Sequence, residues 1–388
     1  MLNDDFSYIL SQLGEEDKSV WQGAMSPPIY QTGNFSYSSF AAFRDAIREE
    51  RKNCLYSRGL NPTVRLLEQK LAALQGTEDA LCFGSGSAAI AAAVIAFCKQ
   101  GDHVVCVNFS YSWTQKLLRN LLSRYGVSSD FVNGSESSTV ENAIRNDTRM
   151  LILESPNSFL FELQDLRALC QSAKSRGVMV LCDNSYAGPM NRFPAEIGVD
   201  LIAHSATKYI SGHSDTIAGV LCGNKALLDV VFADPYMTLG AALSPFNAWL
   251  LLRGLRTLEL RVDRSGNSAL AIASWLQKRP EVKRVNYPWL VNHKQRELAI
   301  QQLGRPMGMF SFELKSGEAR YVEEFCNSLS IFQMAVSWGG YESLVFPSAL
   351  FDPNPFPEGL IRMSIGLENP DLLKEDLEKA FFTSAKFA

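Results

Sequence analysis

The sequence predicts an α/β fold in which a mostly parallel central sheet, covered by helices, is followed by a smaller C-terminal α/β domain. Three observations predict it. From about residue 60, helical periodicity alternates with short apolar runs. A long helical stretch over 244–278 ends before Pro280 and joins this region to a second strand-bearing one. Residues carrying hydroxyl, carboxylate or amine groups follow directly on the apolar runs, at the edge where an open parallel sheet holds its ligand.

The elements follow in order. Residues 1–60 show little periodicity and contain Pro27-Pro28, which predicts an arm lying on another surface. Thr63 is placed to cap a helix whose stripe is Val64, Leu67, Leu71 and Leu74, with Gly76 as its stop. The run Leu81–Phe83 leads through Gly84-Ser-Gly-Ser87 into an Ala-rich helix over 88–98. Strand-like runs follow at His103–Val107, Met150–Leu153, Val178–Cys182, Leu201–His204 and Ile217–Cys222. Helical patterns ending at Gly126 and Gly177 separate the first three. Met309–Leu314 alternates as a half-buried strand, Tyr321–Leu329 is helical, and Arg362–Ile365 reads as a further strand. The expected division is an arm (1–60) contacting a neighbouring subunit, a large domain (61–255) and a smaller domain (256–388).

Composition narrows the function. The 388 residues are 46% hydrophobic and 20% charged, and 37 basic against 41 acidic side chains give a net charge of −4. This is a globular composition without the basic block expected of a protein that binds nucleic acid or anionic membranes. Eight cysteines are scattered without a CxxC pair, and with four histidines they offer no metal-ligand spacing, so no metal and a reducing, cytoplasmic compartment are expected. The N-terminus is acidic where a secretory leader is basic, and the longest apolar run, Ala88 to Cys98, is too short to span a bilayer.

The residues after the apolar runs form a chemical set. Gly84-Ser-Gly-Ser87 opens straight into a helix, whose first N–H groups point at an anion. Tyr111 follows Val107, Asp183 follows Cys182, and Ser205-Ala-Thr-Lys208 follows His204. Pyridoxal 5'-phosphate (PLP) asks for such a set: a lysine amine for its aldehyde, an acid beside the ring nitrogen, a flat side chain against the ring and anion donors for the phosphate. Taken singly, each residue has a plainer reading. Lys208 would be a solvated loop lysine, Asp183 a cap or turn residue, and Tyr111 packing.

Tyr56-Ser-Arg58 with Asn61-Pro-Thr63, Gly84-Ser-Gly-Ser87, Asp183-Asn-Ser185 and above all Ser205-Ala-Thr-Lys-Tyr-Ile-Ser-Gly-His-Ser-Asp215 resemble the Cys/Met-metabolism family of PLP enzymes. The likeness runs from about Gly23 to Arg362. It implies the aspartate aminotransferase-like PLP transferase fold (fold type I) and roles for individual residues. Lys208 would be the Schiff-base lysine and proton shuttle, Asp183 the partner of the pyridinium nitrogen, and Tyr111 the stacked ring. Gly86 and Ser87, with the Ser205 and Thr207 hydroxyls, would hold the phosphate. Tyr56 and Arg58 would reach the phosphate of a neighbouring subunit in a homotetramer built from catalytic dimers. Arg362 would bind the substrate α-carboxylate with Ser337 assisting, and Trp338 would wall the pocket. Arg58 and Arg362 could instead be surface ion-pair partners, and Trp338 could be core.

Departures within the family indicate the reaction. Ser158 stands where many members carry asparagine and, with Ser337–Leu344 and Leu367-Glu368, resembles the enteric type of cystathionine β-lyase. Methionine γ-lyases usually carry a cysteine two residues after the stacking tyrosine, where this chain has Trp113. Synthases and γ-lyases tend to have glutamate, and the enteric β-lyases tyrosine, where this chain has Val336. The resemblance thus implies a transsulfuration enzyme of methionine biosynthesis that cleaves L-cystathionine to homocysteine, pyruvate and ammonia. The alternatives are a γ-synthase, γ-lyase or homoserine-ester sulfhydrylase of the same family, or a non-catalytic PLP-binding regulator.

Overall fold

The computed structural model of the chain describes residues 5–387. They divide into two units: one made of residues 5–154, Asp165–Ser211 and Asp215–Leu258, the other of Ser155–Gln164, Gly212–Ser214 and residues 259–387. The first begins with two short helices, α1 (Phe6–Ser11) and α2 (Phe40–Arg48). Its sheet contains β1 (Asp79–Phe83), β2 (His103–Val107), β3 (Ser128–Val132), β4 (Thr148–Glu154), β5 (Met179–Asp183), β6 (Leu201–His204) and β7 (Gly219–Gly223), in the order β1-β7-β6-β5-β4-β2-β3. Neighbours from β6 through β3 run parallel, and β7 is antiparallel to both β6 and β1. The fully buried residues Val104–Val107, Leu151, Val180, Leu181 and Leu201–Ala203 explain the continuous apolar runs.

The helix α3 (Pro62–Gln75) is capped two residues earlier than the sequence suggests. Asn61 accepts from the Thr63 N–H at 3.0 Å, and Pro62 occupies the first helical position. The Thr63 hydroxyl instead accepts from Tyr30 N–H (2.9 Å) and donates to Pro28 O (3.2 Å), pinning the irregular N-terminal segment. The segment is held a second time by a buried ion cluster. Lys70 Nζ lies 3.1 Å from Glu15 Oε1 and donates to Ile9 O at 2.9 Å, while Arg256 donates to Glu15 Oε2 at 3.0 Å.

The Ala-rich helix α4 (Gly86–Phe97) starts two residues before the apolar run that announces it, because Ser85 caps it by accepting from Ala88 N–H at 3.1 Å. A short helix, α5 (Ser112–Lys116), continues through a wider turn at Leu117–Leu121 and a tighter one at Leu122–Tyr125 to Gly126. The 244–278 stretch is two helices, Pro245–Leu255 and Leu258–Leu276, broken at Arg256-Thr257.

The second unit contains β8 (Val282–Asn286), β9 (Met309–Leu314), β10 (Gln333–Met334), β11 (Leu344–Pro347) and β12 (Leu360–Ser364), in the order β10-β11-β12-β9-β8. All pairs are antiparallel except β10 with β11. Its core gathers Phe310, Phe312, Phe325 and Phe381 with Tyr287. Among the described residues no helix is long and apolar enough to cross a membrane, and no group of three or more His, Cys, Asp or Glu could hold a metal ion.

Candidate active site

Seven of the residues marked in the sequence meet at the carboxyl ends of the parallel strands of the first unit: Gly86, Ser87, Tyr111, Asp183, Ser205, Thr207 and Lys208. Close packing fixes the loop that starts α4. A Cβ on Gly86 would stand 2.9 Å from Ser205 Cα, and one on Gly219 would stand 2.0 Å from Ser85 O. Only glycine lets the first turn of α4 lie against the ends of β6 and β7. Ser185 joins the next pair of strand ends, its hydroxyl accepting from Ser205 N–H at 2.6 Å.

Asp183 is the last residue of β5, and its Oδ1 accepts from Ser185 N–H at 2.9 Å. Burial pushes its carboxyl above the usual carboxylate range, and the bond to Ser185 and the charge of Lys208 pull it back. A carboxylate in this position gains from a cation placed against it. Lys208 is half-buried on the turn that follows β6, its N–H donating to Ser205 O at 3.1 Å. The Thr207 hydroxyl donates to Ala218 O (3.2 Å) and accepts from Ala218 N–H (3.0 Å). A bond from it to a phosphate would therefore replace the one to Ala218 O.

Tyr111 begins α5 and is 41% exposed. Its phenol is hydrogen-bonded to the Ser87 side chain, and burial raises its pKa above the ordinary value, which keeps it protonated at neutral pH. Its backbone N–H donates to Glu154 Oε2 at 2.6 Å. Glu154 ends β4 in register with Asp183. No site role follows for Glu154 from its place in the sequence alone; the signal that finds it is a carboxylate at a strand end, one strand away from Asp183.

Three buried residues, Gln75, Asn184 and His204, and the half-buried Asn191 lie behind this edge. Gln75 Oε1 accepts from Asn184 Nδ2 at 3.2 Å and from His204 Nε2 at 2.6 Å, and Gln75 Nε2 donates to Asn191 O at 2.6 Å. Burial holds the His204 imidazole neutral, with its pKa at about 3.

The other expected site residues belong to other segments of the chain. Tyr56 and Arg58 are exposed on the loop before α3, with the Arg58 guanidinium 5.4 Å from the Tyr56 ring centre. Ser337, Trp338 and Arg362 belong to the second unit. There Arg362 lies over the rings of Phe159 (4.7 Å) and Phe346 (5.4 Å) and donates to Ser337 O at 3.4 Å. Ser337 itself has a left-handed φ of 77°. Desolvation lowers the pKa of Arg362 to about 10, so it stays cationic at neutral pH. Val336, which precedes Ser337 in the chain, is 72% exposed.

The strand-end group fits PLP on its own chemistry. A glycine-tight helix start with hydroxyls beside it suits the phosphate, and a carboxylate in need of a counter-charge suits a protonated ring nitrogen. A profile of Cys/Met metabolism PLP-dependent enzymes matches residues 9–382. The chain belongs to this family. PLP is therefore its cofactor, and Lys208, Asp183, Tyr111, Gly86, Ser87, Ser205 and Thr207 are the family member's candidates for holding it. The chain is 37% identical over 374 residues to an L-methionine γ-lyase of Pseudomonas putida, covering 94% of each chain. It is 34% identical over 368 residues to the cystathionine β-lyase MetC of Bacillus subtilis, covering 92% of each. The crystal structure of MetB from Corynebacterium glutamicum superposes with a TM-score of 0.91 at 33% identity, covering 97% of this chain and 98% of that one. The fold expected from the resemblance is thus the fold found, a PLP enzyme of fold type I.

Proposed function

We propose that this PLP enzyme is a carbon–sulfur β-lyase acting on a thioether amino acid, with L-cystathionine as substrate. Bound PLP supplies an electron sink conjugated to the substrate's Cα. The Asp183 carboxylate accepts the ring N–H and keeps that sink charged, while the Tyr111 ring packs on the cofactor. Gly86, Ser87, Ser205 and Thr207 anchor the phosphate, and Arg362, assisted by Ser337, holds the substrate carboxylate, with Trp338 as a wall. With PLP bound, the Lys208 amine would take the Cα proton and would give a proton to sulfur as the Cβ–S bond breaks. In balance, L-cystathionine and water give homocysteine, pyruvate and ammonia.

The observation that carries the β assignment is Trp113. Methionine γ-lyases usually carry a cysteine at this place; here an exposed indole occupies it, with Lys116 Nζ 4.4 Å from its ring centre. The nearest cysteine in sequence, Cys106, is buried with its thiol pushed up to about 12. In this reading Lys208 is the base that removes the Cα proton. A 1,2-elimination needs a proton removed only at Cα, whereas γ-elimination needs proton removal at Cβ as well. The 37% identity to a methionine γ-lyase favours the γ reading.

Proton NMR of L-methionine incubated with the holoenzyme in D2O separates the two readings. The β reading expects exchange at Cα alone, and exchange at Cβ or release of methanethiol overturns it. The same reading places Tyr56 and Arg58 at the phosphate of a neighbouring copy, in a cytoplasmic tetramer of catalytic dimers.

A further inference from the structure

Tyr111 has to present its ring from a difficult piece of backbone. The chain leaves β2, reverses at Phe109 with a left-handed φ of 58°, and enters α5 at Tyr111 without any side-chain cap. Thr114 and Gln115 N–H both donate to Tyr111 O, and Gln115 Nε2 donates to Ser110 O, so the downstream side is tied to the helix itself. Upstream, the tie comes from another strand: Tyr111 N–H donates to Glu154 Oε2 at 2.6 Å. Glu154 is buried, and its register partner is Asp183. Two adjacent strand ends thus carry two carboxylates, one for the cofactor ring nitrogen and one for the backbone of the residue that packs on that ring.

We propose that Glu154 is a positioning residue that fixes the Tyr111 ring against PLP through this charge-assisted hydrogen bond. The proposal rests on the reading of Tyr111 as the stacking residue. The bond depends on reach as well as charge, because the acceptor oxygen must stand within hydrogen-bond distance of one N–H. A carboxylate shortened by one methylene loses that distance but keeps its charge. A carboxamide of the original length keeps the acceptor and loses the charge.

The test uses the full-length holoenzyme and two readouts, PLP affinity and the visible circular dichroism of bound PLP, with far-UV dichroism as a check on folding. Glu154→Asp and Glu154→Ala are expected to weaken PLP affinity about tenfold and to diminish the visible dichroism, while Glu154→Gln holds affinity within about threefold. In the double variant with Tyr111→Ala, the Glu154→Ala loss should vanish into that of Tyr111→Ala. If Glu154→Ala does not fold, the contrast between Asp and Gln decides alone. Retention by Glu154→Asp with loss in Glu154→Gln, or losses that multiply in the double variant, overturns the proposal. If Tyr111→Ala itself leaves affinity and dichroism unchanged, the assignment of Tyr111 falls; if Tyr111→Ala acts and the Glu154 variants do not, only the role of Glu154 falls.

Discussion

Gly86→Ala inserts one methyl at the tightest point of the phosphate cradle. The new Cβ would stand 2.9 Å from Ser205 Cα and 3.0 Å from Ser205 Cβ, and backbone cannot swing aside as a flexible side chain can. Overpacking of this kind costs about 1–3 kcal/mol. The least expensive relief is to move the first turn of α4 off Ser205, which carries the Gly86 and Ser87 N–H groups away from the phosphate. If that cost falls on the holo state, PLP affinity drops between about fivefold and about 150-fold, since 1.4 kcal/mol is a factor of ten. Gly84→Ala is the matched control, because its Cβ would meet nothing closer than Ala241 O at 3.6 Å, an ordinary contact. Titrating each apo variant with PLP, followed by the visible band of the lysine-bound cofactor, gives both constants. Equal affinities for Gly86→Ala and wild type, or equal losses in Gly86→Ala and Gly84→Ala, would refute the cradle.

Other perturbations address the site and the fold. Lys208→Ala should abolish the visible band of the lysine-bound cofactor and turnover with it. Asp183→Asn should keep PLP bound but lower kcat/KM by about 10²-fold or more, the size of an acid–base contribution; both are read from spectra and steady-state rates. Glu15→Ala leaves Lys70, 1% exposed, without its anion, and should cost about 3–5 kcal/mol in urea unfolding of the holoenzyme. Burial raises the Glu68 carboxyl from 4.5 to about 7, so its contribution to stability is fully present below pH 4.5 and is lost as the pH rises through 7. The loss is about 3 kcal/mol at about 1.4 kcal/mol per pH unit, and Glu68→Gln should flatten the stability profile between pH 4.5 and about 7.

What could be read from the sequence tracks where apolar burial is continuous. β2, β4, β5 and β6 are buried along nearly their whole length, so each stands out as an apolar run, and the polar residue closing or following each run marks the site. β3, Ser-Ser-Asp-Phe-Val, is a sheet edge with no buried residue and carries no such signal. β8 is likewise an edge, and Lys283 and Arg284 face solvent from it. The helix break at Arg256-Thr257 is hidden because both flanking helices keep an apolar stripe through it. The cap of α3 is a competition between two good capping residues, Asn61 and Thr63, which Pro62 settles by taking the first helical position. Glu154 could be seen as a strand-end carboxylate, but its acceptor role depends on the β4–β5 register and on the reversal at Phe109, both tertiary facts. The cysteines behave as their apolar neighbours indicate: Cys82, Cys106, Cys182 and Cys222 are core residues with raised thiol pKa values.

A β-lyase breaks the carbon–sulfur bond at Cβ and a γ-lyase the one at Cγ. L-cystathionine labelled with 13C in its three-carbon arm, incubated with the holoenzyme and followed by NMR, reports directly which one breaks. Labelled pyruvate with unlabelled homocysteine is the predicted result; labelled cysteine with unlabelled 2-oxobutanoate would contradict it.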